Sequence, residues 1–183
     1  MRLAARIDAL IDRERVRNYS IAFLVLGVIA SIVNVVLGPG LRVLTGNALF
    51  PDFLAHWTAG RLLLDGNLDH LYDADFQANL QHAIIGPGDD VSWFVGPPFT
   101  AILYVPFAAL PFAVAGVLWT LVSIAAIAAS LVLLKPLVPR LAQDWTVTVL
   151  AVLASQPVLE VIGAGQDSAL SMLVWAAGLR LLV

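Results

Sequence analysis

An all-α polytopic membrane bundle is the fold class that three observations predict. Hydrophobic residues make up 60% of the 183 positions and charged residues 13%, against about 45–50% and 25% in an average soluble domain. Two uninterrupted apolar runs, 20–38 and 112–134, match the ~20 residues that a helix needs to cross the hydrocarbon core. Arginines crowd the first eighteen positions and then nearly vanish from the long polar stretch that follows, as expected for a chain with its basic end in the cytoplasm. The formal charge of -3 comes without a basic stripe, which excludes nucleic acid as a partner. Without cysteine the chain holds neither disulfides nor thiolate metal sites.

Residues 1–18 place Arg2, Arg6, Arg13, Arg15 and Arg17 beside a face of Leu3, Ile7, Leu10 and Ile11, and predict a cytoplasmic juxtamembrane helix. Residues 20–38 form the first span; the segment is long and lacks a small-x-small cleavage site, so it reads as permanent rather than as a signal peptide. The loop 39–96 holds Asp52, Asp65, Asp69, Asp73, Asp75, Asp89 and Asp90 against Arg42 and Arg61 alone, and belongs outside the cytoplasm. Within it, Phe53, Trp57, Gly60 and Leu64 recur at helical spacing, predicting an interfacial helix that ends at Asp65-Gly66-Asn67. A second short helix is expected over 73–83, before Gly86-Pro87-Gly88.

Residues 97–111 are apolar but carry Pro97, Pro98, Pro106 and Pro111, so this piece is expected to be partly embedded from the outer side. Residues 112–134 then descend, delivering Lys135 and Arg140 to the inside; 145–162 rise, GAGQDSAL bends outside, and 168–183 descend again. The chain reads as a single membrane domain over 1–183. Its last apolar run has neither cap nor polar terminus, which suggests the front part of a longer protein. This topology puts Asp52 and Gln166-Asp167 on one side, and polar groups at membrane depth are costly unless they serve a site.

Several residues carry two readings from sequence alone. Asp52 is either a proton acceptor or the cap of a helix starting at Phe53. His56, one turn on, either orients that acid, bonds a sugar hydroxyl or is an ordinary interfacial histidine. Arg61 either meets a phosphate or pairs with Asp65 at i+4. Asp73-Ala74-Asp75 has the D-x-D form of some cation sites, but is read as the acidic start of the second helix, with no metal assigned. Gln166 and Asp167 either bond sugar hydroxyls or form a solvated turn, while Trp93, Phe94 and Tyr104 line a groove or anchor the interface.

Three segments together resemble glycosyltransferase family 87. They are PDFLAHWTAGRLLLDGNLDHLYD, VGPPFTAILYVPFAALP and PVLEVIGAGQDSAL, in matching order and spacing. The resemblance implies the front half of a C-type glycosyltransferase, with short interfacial helices in a long first extracytoplasmic loop. It further implies transfer of a hexose, mannose-like, from a polyprenyl-phosphate donor to a lipid or glycan acceptor. No cofactor is implied. Asp52 matches the family's general base, and His56, Arg61, Tyr72, Gln166 and Asp167 fall at positions expected to touch substrate. The expected location is the bacterial plasma membrane, with the bilayer and the lipid-linked sugar as partners. A non-enzymatic membrane subunit, or an inactive fragment of such an enzyme, is the alternative.

Overall fold

The computed structural model describes residues 12–88 and 90–182. The face formed by Leu3, Ile7, Leu10 and Ile11, and Asp89, lie outside the described residues. Every extended regular element among those described is helical, apart from an isolated antiparallel bridge between Arg42 and Ala48.

Helix α1 spans Arg13–Val36 without interruption, so the described part of the basic segment and the first span form one rod. Asp12 caps it by accepting from the Arg15 backbone N–H. Only Ser20 of this helix is fully buried; one side packs on the Trp145–Leu153 helix and Leu159, and most of the remaining apolar surface is exposed, as a membrane helix requires. A loop follows, pinned by the Leu44 N–H donating to the Asn34 carbonyl at 2.7 Å. Helix α2, Pro51–Leu64, is by contrast the most enclosed element: Phe53, Leu54, Ala59 and Leu62 are inaccessible or nearly so.

Helix α3, Ala74–Ile85, starts from Asp73, whose carboxylate accepts the Phe76 N–H. The proline-rich piece forms two short helices, α4 (Pro98–Ile102) and α5 (Val105–Ala108), laid against α2. Gly60 makes the closeness of that packing possible, since a Cβ there would come within 2.8 Å of the Tyr104 backbone.

Helix α6, Phe112–Leu134, is the second full-length apolar helix. A turn leads to α7 (Pro139–Ala142) and then α8 (Trp145–Leu153). The expected third span over 145–162 is not one straight rod. It breaks after Leu153 and resumes as α9 (Gln156–Glu160) and a wider π turn, Val161–Gly165, bent by 54° from α8. Pro157 lies at the start of the second piece, where it has no N–H to give the helix before it. Helix α10, Ser168–Leu182, packs back along α6.

The bundle has two chemically different ends. Arg13 pairs with Asp144 at 2.9 Å, so the basic start of α1 sits beside the connection that also carries Lys135 and Arg140. At the opposite end of α6 the Phe50 ring covers Gly116, and α2 begins. The principal core lies there too, where Phe53, Tyr104, Phe107, Phe112 and Trp119 interleave with ring centroids 4.8–6.3 Å apart.

Candidate functional site

Two chain turns meet above that aromatic core. The first is the start of α2. Pro51 takes the first helical position, where its missing N–H costs nothing, and Asp52 follows it. The cap position belongs to Phe50, held left-handed at φ 51, and no side chain caps the helix. Asp52 is therefore not the cap that its position after a proline suggests. No hydrogen bond or ion pair engages its carboxylate among the described residues.

The second turn is the π turn and its exit. Gly165 adopts φ 75, and a Cβ at this position would lie 2.6 Å from that of Phe53. Only glycine fits both the left-handed backbone and the close approach to α2. The buried Trp119 indole N–H donates to the Gly165 carbonyl at 2.9 Å. Gln166 and Asp167 emerge next to Asp52 as a result, before α10 starts at Ser168.

Asp52, His56, Gln166 and Asp167 line one cavity of about 390 Å³, with Ala55, Ser92, Trp93 and Ser168 completing the wall. His56 is half-buried, its ring 4.6 Å from Tyr104 and 5.6 Å from Phe94. Its Nδ1 lies 2.8 Å from the Asp52 backbone carbonyl. A carbonyl only accepts, so Nδ1 carries the proton, and in the neutral ring Nε2 is left as an acceptor. The contact is to the backbone of Asp52 and not to its carboxylate. Among the described residues neither Lys nor Arg lines the cavity.

Two expected substrate contacts stand apart from it. Arg61 donates through Nε to Asp65 at 2.8 Å, the i+4 pair, and both side chains are partly exposed. Tyr72 donates its hydroxyl to the Gly96 carbonyl at 2.8 Å and stacks at 6.2 Å on Phe94. Asp73 serves as a helix cap; the Phe76 N–H, then His70, hold its carboxyl below its ordinary value. Ser92 was not anticipated, because a lone serine in a loop carries no spacing signal, whereas Ser168 belongs to the polar bend expected on this side. Trp93 carried two readings from sequence, groove lining or interfacial anchoring, and it lines the cavity wall.

What this arrangement can do chemically follows from its inventory. The side chains of Asp52, Gln166 and Asp167 all reach the cavity without a hydrogen-bond or ion-pair partner among the described residues. One carboxylate can take a proton, while the other polar groups hold hydroxyls in place. Comparison with known proteins agrees with two of the three segments of the motif reading: residues 94–183 match glycosyltransferase family 87, and the segment 51–73 with Asp52 lies outside the match. No curated protein and no solved structure matches the chain.

Proposed function

Residues 94–183 belong to glycosyltransferase family 87, and from that premise we propose that this chain moves a mannose-like hexose from a polyprenyl-phosphate donor to a lipid or glycan acceptor. The reaction takes place at the extracytoplasmic face of a bacterial plasma membrane, in the cavity between α2 and α10. Asp52 is the general base. It takes the proton of the acceptor hydroxyl as that oxygen bonds to the anomeric carbon; the bond from this carbon to the phosphate oxygen breaks, and polyprenyl phosphate leaves as an anion. Since phosphate leaves without a proton, one carboxylate is enough.

The observation that carries this reading is the unengaged Asp52 carboxylate in a common cavity with Gln166 and Asp167. Sidedness rests on the arginines and lysine at the other end of the bundle. His56 Nε2, Gln166 and Asp167 position the sugar hydroxyls. Arg61, held by Asp65 and outside the cavity, meets the donor phosphate only if that pair opens. Tyr72 acts at a distance, by steadying the Phe94 segment.

Asp52→Asn is the test. The substitution keeps size and removes the proton acceptor, and loss of a general base costs about 10²–10⁴-fold in rate. Because Asp52 caps nothing, stability should fall only by the charge–dipole contribution of a first-turn acid, about 0.3–1 kcal/mol. The expected variant is folded and nearly inactive in sugar transfer from polyprenyl phosphate, assayed in membranes at matched expression. Activity within about threefold of the parent would overturn the assignment.

A further inference from the structure

The segment carrying Trp93 is held in an unusual way. Gln77 and Gln81 stand one turn apart on α3, and both are buried. Gln81 donates to the Ser92 carbonyl at 2.7 Å and accepts the Ser92 N–H at 3.0 Å. Gln77 accepts the Phe94 N–H at 2.9 Å and donates to the Leu71 carbonyl at 2.7 Å. Two side-chain amides thus bind the backbone on either side of Trp93, much as a neighbouring strand would. In an extended stretch successive side chains point to opposite faces. Phe94 is accordingly 2% exposed in the core, and Trp93 is turned outward, 47% exposed, onto the cavity wall.

A tryptophan that only anchored an interface would need no such clamp. Its backbone is fixed on both sides before anything binds, so a ligand does not bear the cost of ordering that segment. Beside it are two carboxylates, one primary amide and a histidine acceptor, with no cation among the lining residues. A pyranose ring matches this set: one face presents C–H groups to an aromatic plane, and its rim presents hydroxyls that donate and accept. A carboxylate on the ring, away from the anomeric carbon, would instead meet the like charges of Asp52 and Asp167.

We propose that Trp93, set by the Gln77–Gln81 clamp, is the platform for the sugar ring, and that the cavity selects hexoses without a ring carboxylate against uronic acids. This rests on the cavity being the sugar-transfer site. It adds a residue that fixes the ring and a rule for which sugars enter.

Saturation-transfer NMR on the full chain in detergent micelles tests it, with methyl α-mannopyranoside as the neutral probe, and methyl glucoside set against its glucuronic acid counterpart. Irradiating protein resonances should saturate the ring C–H protons of the neutral probe. Trp93→Ala should weaken that binding by about tenfold, the size of an aromatic contact, while Trp93→Phe stays within about threefold of the parent. Thermal unfolding of both variants controls for fold, which an outward-facing residue should leave intact. The glucuronide should bind at least about tenfold more weakly than the glucoside, and Asp167→Asn should narrow the gap. Equal affinity of parent and Trp93→Ala, or equal affinity for charged and uncharged probes, overturns the inference even where sugar transfer persists and remains dependent on Asp52. A parent that neither binds the neutral probes nor transfers sugar overturns the functional reading as well.

Discussion

The indole N–H of Trp119 meets the carbonyl of Gly165 at 2.9 Å across 46 positions of sequence, and by this bond the turn bearing Gln166 and Asp167 hangs from α6. Trp119→Phe keeps most of the ring packing with Phe53 and Tyr104 but leaves a buried carbonyl unpaired. A cost of about 1–3 kcal/mol is expected in thermal unfolding. Sugar transfer should fall at temperatures where the variant is still fully folded, because the turn is released locally. Activity that merely tracks the folded fraction would leave Trp119 a packing residue only.

Gly165→Ala should be harsher. The new methyl group requires a left-handed backbone and drives against Phe53, for an expected loss of about 2–4 kcal/mol. The neighbouring Gly163 faces open space and ordinary backbone, so Gly163→Ala is the control, with a change near zero. Equal melting temperatures for the two variants would contradict this account of the turn.

Arg42 ties the two halves of the loop between α1 and α4 together. Its guanidinium donates to the carbonyls of Gly46, Ile85 and Gly86 and pairs with Asp90. Burial pushes the Asp90 carboxyl up, but hydrogen bonds from Arg42 and the backbone, with the guanidinium charge, leave it below its ordinary value of 3.8. A depressed folded value means that the stabilisation is complete above pH 3.8 and disappears as pH drops further through the folded value. Arg42→Ala should therefore cost about 2–4 kcal/mol at neutral pH. The difference between parent and Asp90→Asn should shrink on acidification in unfolding measurements; a difference independent of pH would show that the pair is not ionised as described.

The absence of native cysteine makes sidedness directly measurable. Cysteine placed at Asp69, in the loop after α2, should react in intact cells with an impermeant thiol reagent. Cysteine at Arg140, at the basic end, should react only after permeabilisation. The reverse pattern would turn the molecule over and put the cavity in the cytoplasm.

Sequence patterns revealed the helices whose signals are local. The apolar length of 112–134, the helical spacing from Phe53 to Leu64 and the acidic start of the second helix near Asp73 all translate into observed elements, within a residue or two at their ends. The meeting of Asp52 with Gln166 and Asp167 was also foreseeable, because charge bias orders the ends of successive apolar runs. The break after Leu153 was missed, since its cause is a single proline inside an apolar stretch, and such prolines are also tolerated in membrane helices. The true start of α2 was missed by two residues, because a left-handed Phe50 has no sequence signature and is held by packing over Gly116. The burial of Gln77 and Gln81 was not read from sequence. Nothing in their spacing distinguishes water from a backbone segment as the partner.

The glutamine clamp also couples the opening of distant amides. The Ser92 and Phe94 N–H groups belong to no helix or sheet, yet their acceptors are side chains rooted in α3. They are released to solvent only when those side chains withdraw or α3 itself melts. Their hydrogen-exchange rates should consequently fall to those of the α3 interior rather than those of a loop, joining a helix and an irregular strand into one cooperative unfolding unit.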